Sequence, residues 1–108
     1  MRIVEFHGRS LRAIKDFPVA AKRDAGHQLD RIQRGLDPIS WKPMKQIGTG
    51  VRELRLRDNG QFRVIYLAMH EEAVHVLHAF QKKTKRIRLR DIRIARQAFN
   101  KLTNRNHD

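Results

Sequence analysis

The sequence predicts an α+β domain in which a small antiparallel sheet packs against two N-terminal helices and a C-terminal helix. Three observations support this class. An apolar stripe with helical spacing covers residues 21–36, β-type runs joined by short turns fill residues 51–81, and a second helical stripe covers residues 92–102. The 108 residues predict one domain, residues 1–108, because a chain of this length has no room for two independent cores.

The first forty residues predict one short strand and two helices. Residues 3–6 favour an opening strand, and Ser10 is expected to cap a first helix. A longer helix follows, and its apolar stripe consists of Ala21, Ala25, Leu29, Ile32 and Leu36. Gly35 and Asp37-Pro38 predict its end, and residues 38–50 are expected to form a loop anchored by Trp41.

The second half predicts a three-stranded meander and a closing helix. Residues 51–57 alternate in polarity, and a tight turn is predicted at Asp58-Asn59-Gly60 because Asn-Gly accepts positive φ angles. Residues 62–69 carry one charge, which favours a central strand covered on both faces, and a turn at residues 70–72 leads into a strand at residues 74–81. The helices are expected to pack on one face of the sheet, the last of them through Ile92, Ala95, Phe99 and Leu102.

The charge of the chain predicts an anionic partner. Lys and Arg number 24 against 11 Asp and Glu, which gives a formal net charge of +13. Residues 41–108 hold 16 of the basic and 6 of the acidic side chains, a net of +10, and the densest run extends from Lys82 to Arg96 with Asp91 alone opposing it. A block of like charge is often a solvated tail. This block lies between a predicted strand and a predicted helix, so a surface that binds a polyanion is the preferred interpretation.

Several classes of protein are excluded or disfavoured. The chain has no cysteine, so disulfide frameworks and thiolate metal sites are excluded. No apolar run approaches the roughly 20 residues that a membrane span needs. The N-terminus lacks a secretory apolar segment. We therefore expect a cytoplasmic protein that has no membrane partner.

Basic side chains of the predicted strands form the candidate site. Arg55 and Arg57 share the polar face of one strand, and Lys82 and Lys83 follow the last strand. Arg63 is the one charge within an apolar strand, where an unpaired charge would be costly if buried. Arg63 has two interpretations, an ion pair with Glu53 across the hairpin or an arginine held in a cleft to bind phosphate, and the second is preferred.

Histidine and tyrosine residues leave further alternatives open. The chain has six histidines, but His75 and His78 are three apart in a strand, a separation that points them to opposite faces, so neither a metal site nor any other cofactor is expected. His78 is either a packed strand residue or a general base. Tyr66 is either a core residue or a platform on which an RNA base stacks.

Three stretches of the chain resemble a known family. They are WKPM at residues 41–44 with GVRELR at 50–55, FRVIY at 62–66, and VLHAFQKKT at 76–84. In this order and spacing the chain resembles the HigB-type, phage-related branch of the RelE/ParE toxin superfamily. The resemblance spans roughly residues 41–102 and implies the RelE-like arrangement of helices against an antiparallel sheet.

The resemblance implies a type II toxin that cleaves mRNA, usually on the ribosome, and is neutralised by an antitoxin that is often a helix-turn-helix protein. DNA would then be contacted only through the antitoxin. The functional basic positions of the family fall on Arg55, Arg63, Lys82 and Lys83. No tyrosine follows Lys83, where some relatives place a catalytic one, so the general acid and base stay open.

The implied reaction uses the 2′-hydroxyl of the RNA to attack the neighbouring phosphate. Arg63 would stabilise the developing charge, Lys82 and Lys83 would hold the backbone or supply a proton, and His78 would be a rival base. The expected RNA-binding residues are Arg55, Arg57, Tyr66, Lys85, Arg86 and Arg88. Two alternatives remain, a ParE-like toxin that inhibits DNA gyrase and a module that binds RNA or the ribosome without catalysis.

Overall fold

The chain forms a five-stranded sheet with helices on both faces. The computed structural model describes residues 1–69 and 72–106, and the turn predicted at His70 and Glu71 lies outside them. The elements in chain order are β1 (Ile3–Phe6), α1 (Ser10–Lys15), α2 (Val19–Gln33), β2 (Trp41–Pro43), β3 (Val51–Arg57), β4 (Gln61–Met69), β5 (Ala73–Lys82) and α3 (Leu89–Asn106). The predicted α+β class is confirmed.

The sheet is mixed, whereas the sequence predicts an antiparallel one. Its strand order is β1-β5-β4-β3-β2, and β1 pairs with β5 in parallel while the other neighbours are antiparallel. The parallel pair arises because α1, α2 and three further strands separate β1 from β5, and only the local hairpins are visible as antiparallel signals in the sequence. The predicted loop at residues 38–50 contains the edge strand β2, in which Trp41 pairs with Leu54. Pro43 is tolerated there because an edge strand has one unpaired side.

Helices cover both faces of the sheet, so the expectation that they share one face is wrong. On one face, called here the α2 face, Ala25 and Ile32 pack with Leu54 and Val64. On the other, called the α3 face, Ala95 and Leu102 of α3 belong to a second core cluster whose sheet residues are Val51, Ile65, Leu67 and Leu77. The physical reason is β4, which is apolar on both sides and needs a cover on each.

Two predicted helix details differ in the structure. Ser10 is the first residue of α1 rather than its cap, and its hydroxyl donates a hydrogen bond of 3.3 Å to the carbonyl of Val76 in β5. Helix α2 ends at Gln33, and Gly35 reverses the chain with a φ of +82°. Leu36 is therefore exposed and lies outside the apolar stripe of the helix.

An irregularity in β5 changes the direction of its side chains. Ile65 pairs with His78 but Tyr66 pairs with Val76, so Leu77 is an extra residue on β5. Leu67 pairs with His75. Since Ile65 and Leu67 share a face, His75 and His78 also share one, and the prediction that they point to opposite faces is wrong.

Within residues 1–69 and 72–106, none of the helices combines the length and the apolarity that crossing a membrane requires.

Candidate nucleic-acid interface

Three cross-strand rows place polar side chains on the α3 face. Each row runs from β3 through β4 to β5, and directly paired residues on neighbouring strands point to the same side of a sheet. The rows are Glu53–Ile65–His78, Arg55–Arg63–Phe80 and Arg57–Gln61–Lys82. The sheet thus brings five of the predicted site residues to one face, namely Arg55, Arg57, Arg63, His78 and Lys82.

A cationic groove of about 410 Å³ lies on this face. One wall is formed by β2 and β3, and the other by the connection between β5 and α3. Its charged lining residues are Lys42, Glu53, Lys82, Lys85 and Arg86, and its apolar ones include Met44, Ile87 and Ile92. With four cations against one carboxylate, this groove is suited to an anionic ligand.

Arg63 lies beneath the groove and is 4% exposed. Its Nη2 donates to Oε1 of Gln61 at 2.7 Å and its Nη1 donates to the carbonyl of Phe62 at 3.1 Å. Its Nε is 3.6 Å from Oε2 of Glu53. Burial lowers the pKa of Arg63 and the charge of Glu53 opposes that change. The ion pair with Glu53 is therefore the interpretation that the structure supports, and an exposed guanidinium aimed at phosphate is not observed.

The sequence offered Glu53 only as a possible ion-pair partner of Arg63, and its burial was not predicted, because the alternation along β3 places it on the polar face of that strand. Glu53 is 1% exposed because the β5–α3 connection and α3 cover this face. Its Oε1 accepts a hydrogen bond of 3.0 Å from Nε of Arg55, and its Oε2 has no hydrogen-bond partner within the described part of the chain. This carboxylate holds two arginines together below the groove. No signal in one sequence separates a solvated Glu from a buried one in such a pattern.

His78 forms a pair with Asp91 in the first turn of α3. Nε2 of His78 lies 2.8 Å from Oδ1 of Asp91, and the imidazole stacks on Phe80 with ring centroids 5.2 Å apart. A carboxylate in this position fixes the orientation of the imidazole. Asp91 was noted in the sequence only as the acidic exception in the basic run.

Other predicted residues lie outside the groove. Lys83 and Arg88 are exposed on the β5–α3 connection but do not line it. Arg57 borders a separate hollow at the hairpin turn between β3 and β4. These three side chains are accessible to a long polyanion, but they do not share the enclosed space that Lys82, Lys85 and Arg86 line.

Tyr66 lies on the α2 face and is 1% exposed. Burial raises the pKa of its phenol, and the neighbouring Arg52 opposes that rise. A ring buried to this extent offers no face to an RNA base. The stacking role predicted for Tyr66 does not fit the structure, and the core interpretation does.

The structure defines a small basic α+β fold with a cationic groove on one face of its sheet. Residues 12–100 match the sequence profile of the family described as Phage derived protein Gp49-like (DUF891), so the chain belongs to that family. This is a family of toxin-like proteins of toxin–antitoxin systems. Among curated proteins, none matches the chain.

Proposed function

We propose that the protein is the toxin of a type II toxin–antitoxin system and that it is an endoribonuclease acting on mRNA at the ribosome. The observation that carries this proposal is the cationic groove, whose lysines and arginine surround a single buried carboxylate. Family membership supports the toxin part of the proposal. The activity on RNA rests on the groove and on the resemblance to the HigB-type branch of the RelE/ParE superfamily.

In the proposed reaction, the 2′-hydroxyl oxygen of the RNA attacks the adjacent phosphorus and the bond from phosphorus to the 5′-oxygen breaks. A base takes the 2′-hydroxyl proton and an acid gives a proton to the departing 5′-oxygen. The products are a 2′,3′-cyclic phosphate and a 5′-hydroxyl end. Lys82, Lys85 and Arg86 bind the phosphates and stabilise the charge that develops on them.

The remaining polar residues have supporting roles in this proposal. His78, oriented by Asp91, is the candidate for proton transfer. Arg63 is a positioning residue, because it neutralises Glu53 from below and so keeps Glu53 and Arg55 in place. Lys83, Arg57 and Arg88 extend the cationic surface along the RNA outside the groove.

We infer that the antitoxin is a helix-turn-helix protein that neutralises the toxin, and that DNA is contacted only through it. An acidic segment of such a protein complements the groove, whose lining carries four cations and one carboxylate. mRNA and the ribosome are the remaining proposed partners.

Expression in a bacterium tests the proposed activity. Wild-type protein should arrest growth, and mapping of mRNA 5′ ends should show new 5′-hydroxyl ends within coding sequences. The variant Lys82→Gln/Lys85→Gln should abolish both effects. A matched control is Lys22→Gln/Arg23→Gln, which removes the same charge from exposed positions of α2 and should stay toxic.

Two results would contradict the proposal. Arrest with intact mRNA and a DNA-damage response would indicate a gyrase inhibitor instead. Absence of arrest, together with salt-sensitive binding of RNA, would indicate a module that binds RNA without cleaving it.

A further inference from the structure

Three potential metal ligands meet at the edge of the sheet, near the beginning of β5. Glu5 lies in β1, His7 follows that strand, and His75 is the third residue of β5. Glu5 and His75 are direct partners in the parallel ladder, and the amide of His7 donates to the carbonyl of Val76. The backbone pairing of β1 with β5 therefore sets the positions of all three residues.

The ligand atoms lie at distances that suit a small divalent cation. Nδ1 of His75 is 3.0 Å from Nε2 of His7 and 3.3 Å from Oε2 of Glu5. All three ligand atoms lie within 4.8 Å of one another. Tetrahedral zinc with bonds of about 2.0–2.1 Å separates its ligand atoms by about 3.3 Å, so the two shorter distances match that geometry.

Nε2 of His7 and the carboxylate of Glu5 both contact the same ring nitrogen, Nδ1 of His75. A ring nitrogen has one in-plane position, which holds either a proton or a lone pair. When Nδ1 is protonated, its single proton is shared between the carboxylate of Glu5 and the lone pair of His7 Nε2. A cation placed between the three atoms interacts favourably with each of them at once.

We propose that Glu5, His7 and His75 form a zinc site with an open fourth position for water. Two imidazole nitrogens and one carboxylate are ligands that zinc commonly takes in proteins. The site lies seven positions along β5 from Lys82 of the cationic groove. Its role is to fasten β1, a four-residue strand at the sheet edge, to β5. The proposal is independent of the activity on RNA.

Direct titration of untagged, metal-free protein tests the site. Calorimetry with Zn²⁺ should show one equivalent bound, and Co²⁺ should produce the intense visible absorption of tetrahedral cobalt. Mutation of a residue that only supports a metal ligand weakens metal binding by roughly 10- to 100-fold. The variant His7→Gln removes a ligand itself and should weaken Zn²⁺ binding by more than this. Zn²⁺ should raise the melting temperature of the wild type, because it binds the folded state, and chelation should reverse this rise.

The controls separate the site from other histidines and from loss of folding. The variant His27→Gln alters an exposed histidine of α2 and should bind as the wild type does. Glu5→Gln provides a second ligand variant that leaves the buried His75 in place. The proposal is overturned if neither ligand variant weakens binding, if His27→Gln removes it, or if Zn²⁺ does not bind the wild type.

Discussion

At the scale of single residues, the buried pair of Glu53 and Arg63 explains most about the candidate site. Both side chains are almost fully enclosed, at 1% and 4% exposure, and the ion pair spans 3.6 Å. Two hydrogen bonds donated by Arg63 and one accepted by Glu53 compensate in part for the lost water, while Nε of Arg63 and Oε2 of Glu53 have only their ion-pair contact among the described residues. The guanidinium is thus fixed by the protein itself and shapes the floor of the groove.

Replacement of Arg63 by methionine should destabilise the fold by about 3–5 kcal/mol, because it leaves the Glu53 carboxylate buried without its partner. The double variant Arg63→Met/Glu53→Met should recover most of this loss, since the two buried charges are removed together. Urea denaturation of the wild type, both single variants and the double variant measures the coupling. An Arg63→Met protein with wild-type stability and no toxicity would instead place Arg63 in contact with the RNA.

The single tyrosine of the chain provides a pH prediction. Its pKa is raised in the folded state, so the folded protein favours the neutral phenol. This contribution to stability is complete below the unfolded pKa of about 10 and is lost as the pH rises through the folded pKa. Tyrosinate absorbance should therefore appear above pH 10, and Tyr66→Phe should lose less stability than the wild type on passing into that range. A normal titration with the fold intact would contradict the burial of Tyr66.

At the scale of elements, the strands and helices were largely predictable from periodicity and turns. The alternation in β3, the Asn-Gly turn and the stripe of α3 each depend on local sequence, and Asn59 has the positive φ of 51° that the turn requires. The parallel pairing of β1 and the extra residue Leu77 depend on distant backbone partners. Distant partners leave no pattern in the local sequence. The sheet was therefore predicted to be antiparallel, and His75 was predicted to point to the opposite face of the sheet from His78.

The packing of α3 on the loop before β3 gives a prediction at this scale. A Cβ at Gly48 would overlap the ring of Phe99, so Gly48→Ala forces the ring or the loop to move. We expect a loss of about 1–3 kcal/mol, as for other overpacked cores. Gly26→Ala is the matched control. It lies in α2 with open space around its Cβ position and should gain about 0.5–1 kcal/mol of stability. Thermal unfolding compares the two, and equal effects would contradict the close approach of Phe99.

At the scale of the whole molecule, the sequence predicted a basic surface, and the fold divides its cations among distinct places. The sequence identified the run after β5, because a block of charge next to a strand is visible without coordinates. It could not show which cations of this run line the groove. Three of them, Lys82, Lys85 and Arg86, lie across the groove from Lys42 and Glu53. The other two predicted residues, Lys83 and Arg88, do not line it. That separation arises from the path of the β5–α3 connection over the sheet.

The salt dependence of RNA binding tests most directly whether the groove holds the polynucleotide backbone. The triple variant Lys82→Gln/Lys85→Gln/Arg86→Gln is compared with Lys15→Gln/Lys22→Gln/Arg23→Gln, which removes the same charge from exposed positions of α1 and α2. Single-stranded RNA releases about 0.7 counterion per phosphate contact, so the groove variant should lower the slope of log affinity against log salt by about 2 and the helix variant should leave it unchanged. Equal slopes for the two variants would contradict the assignment of the groove as the RNA-binding site.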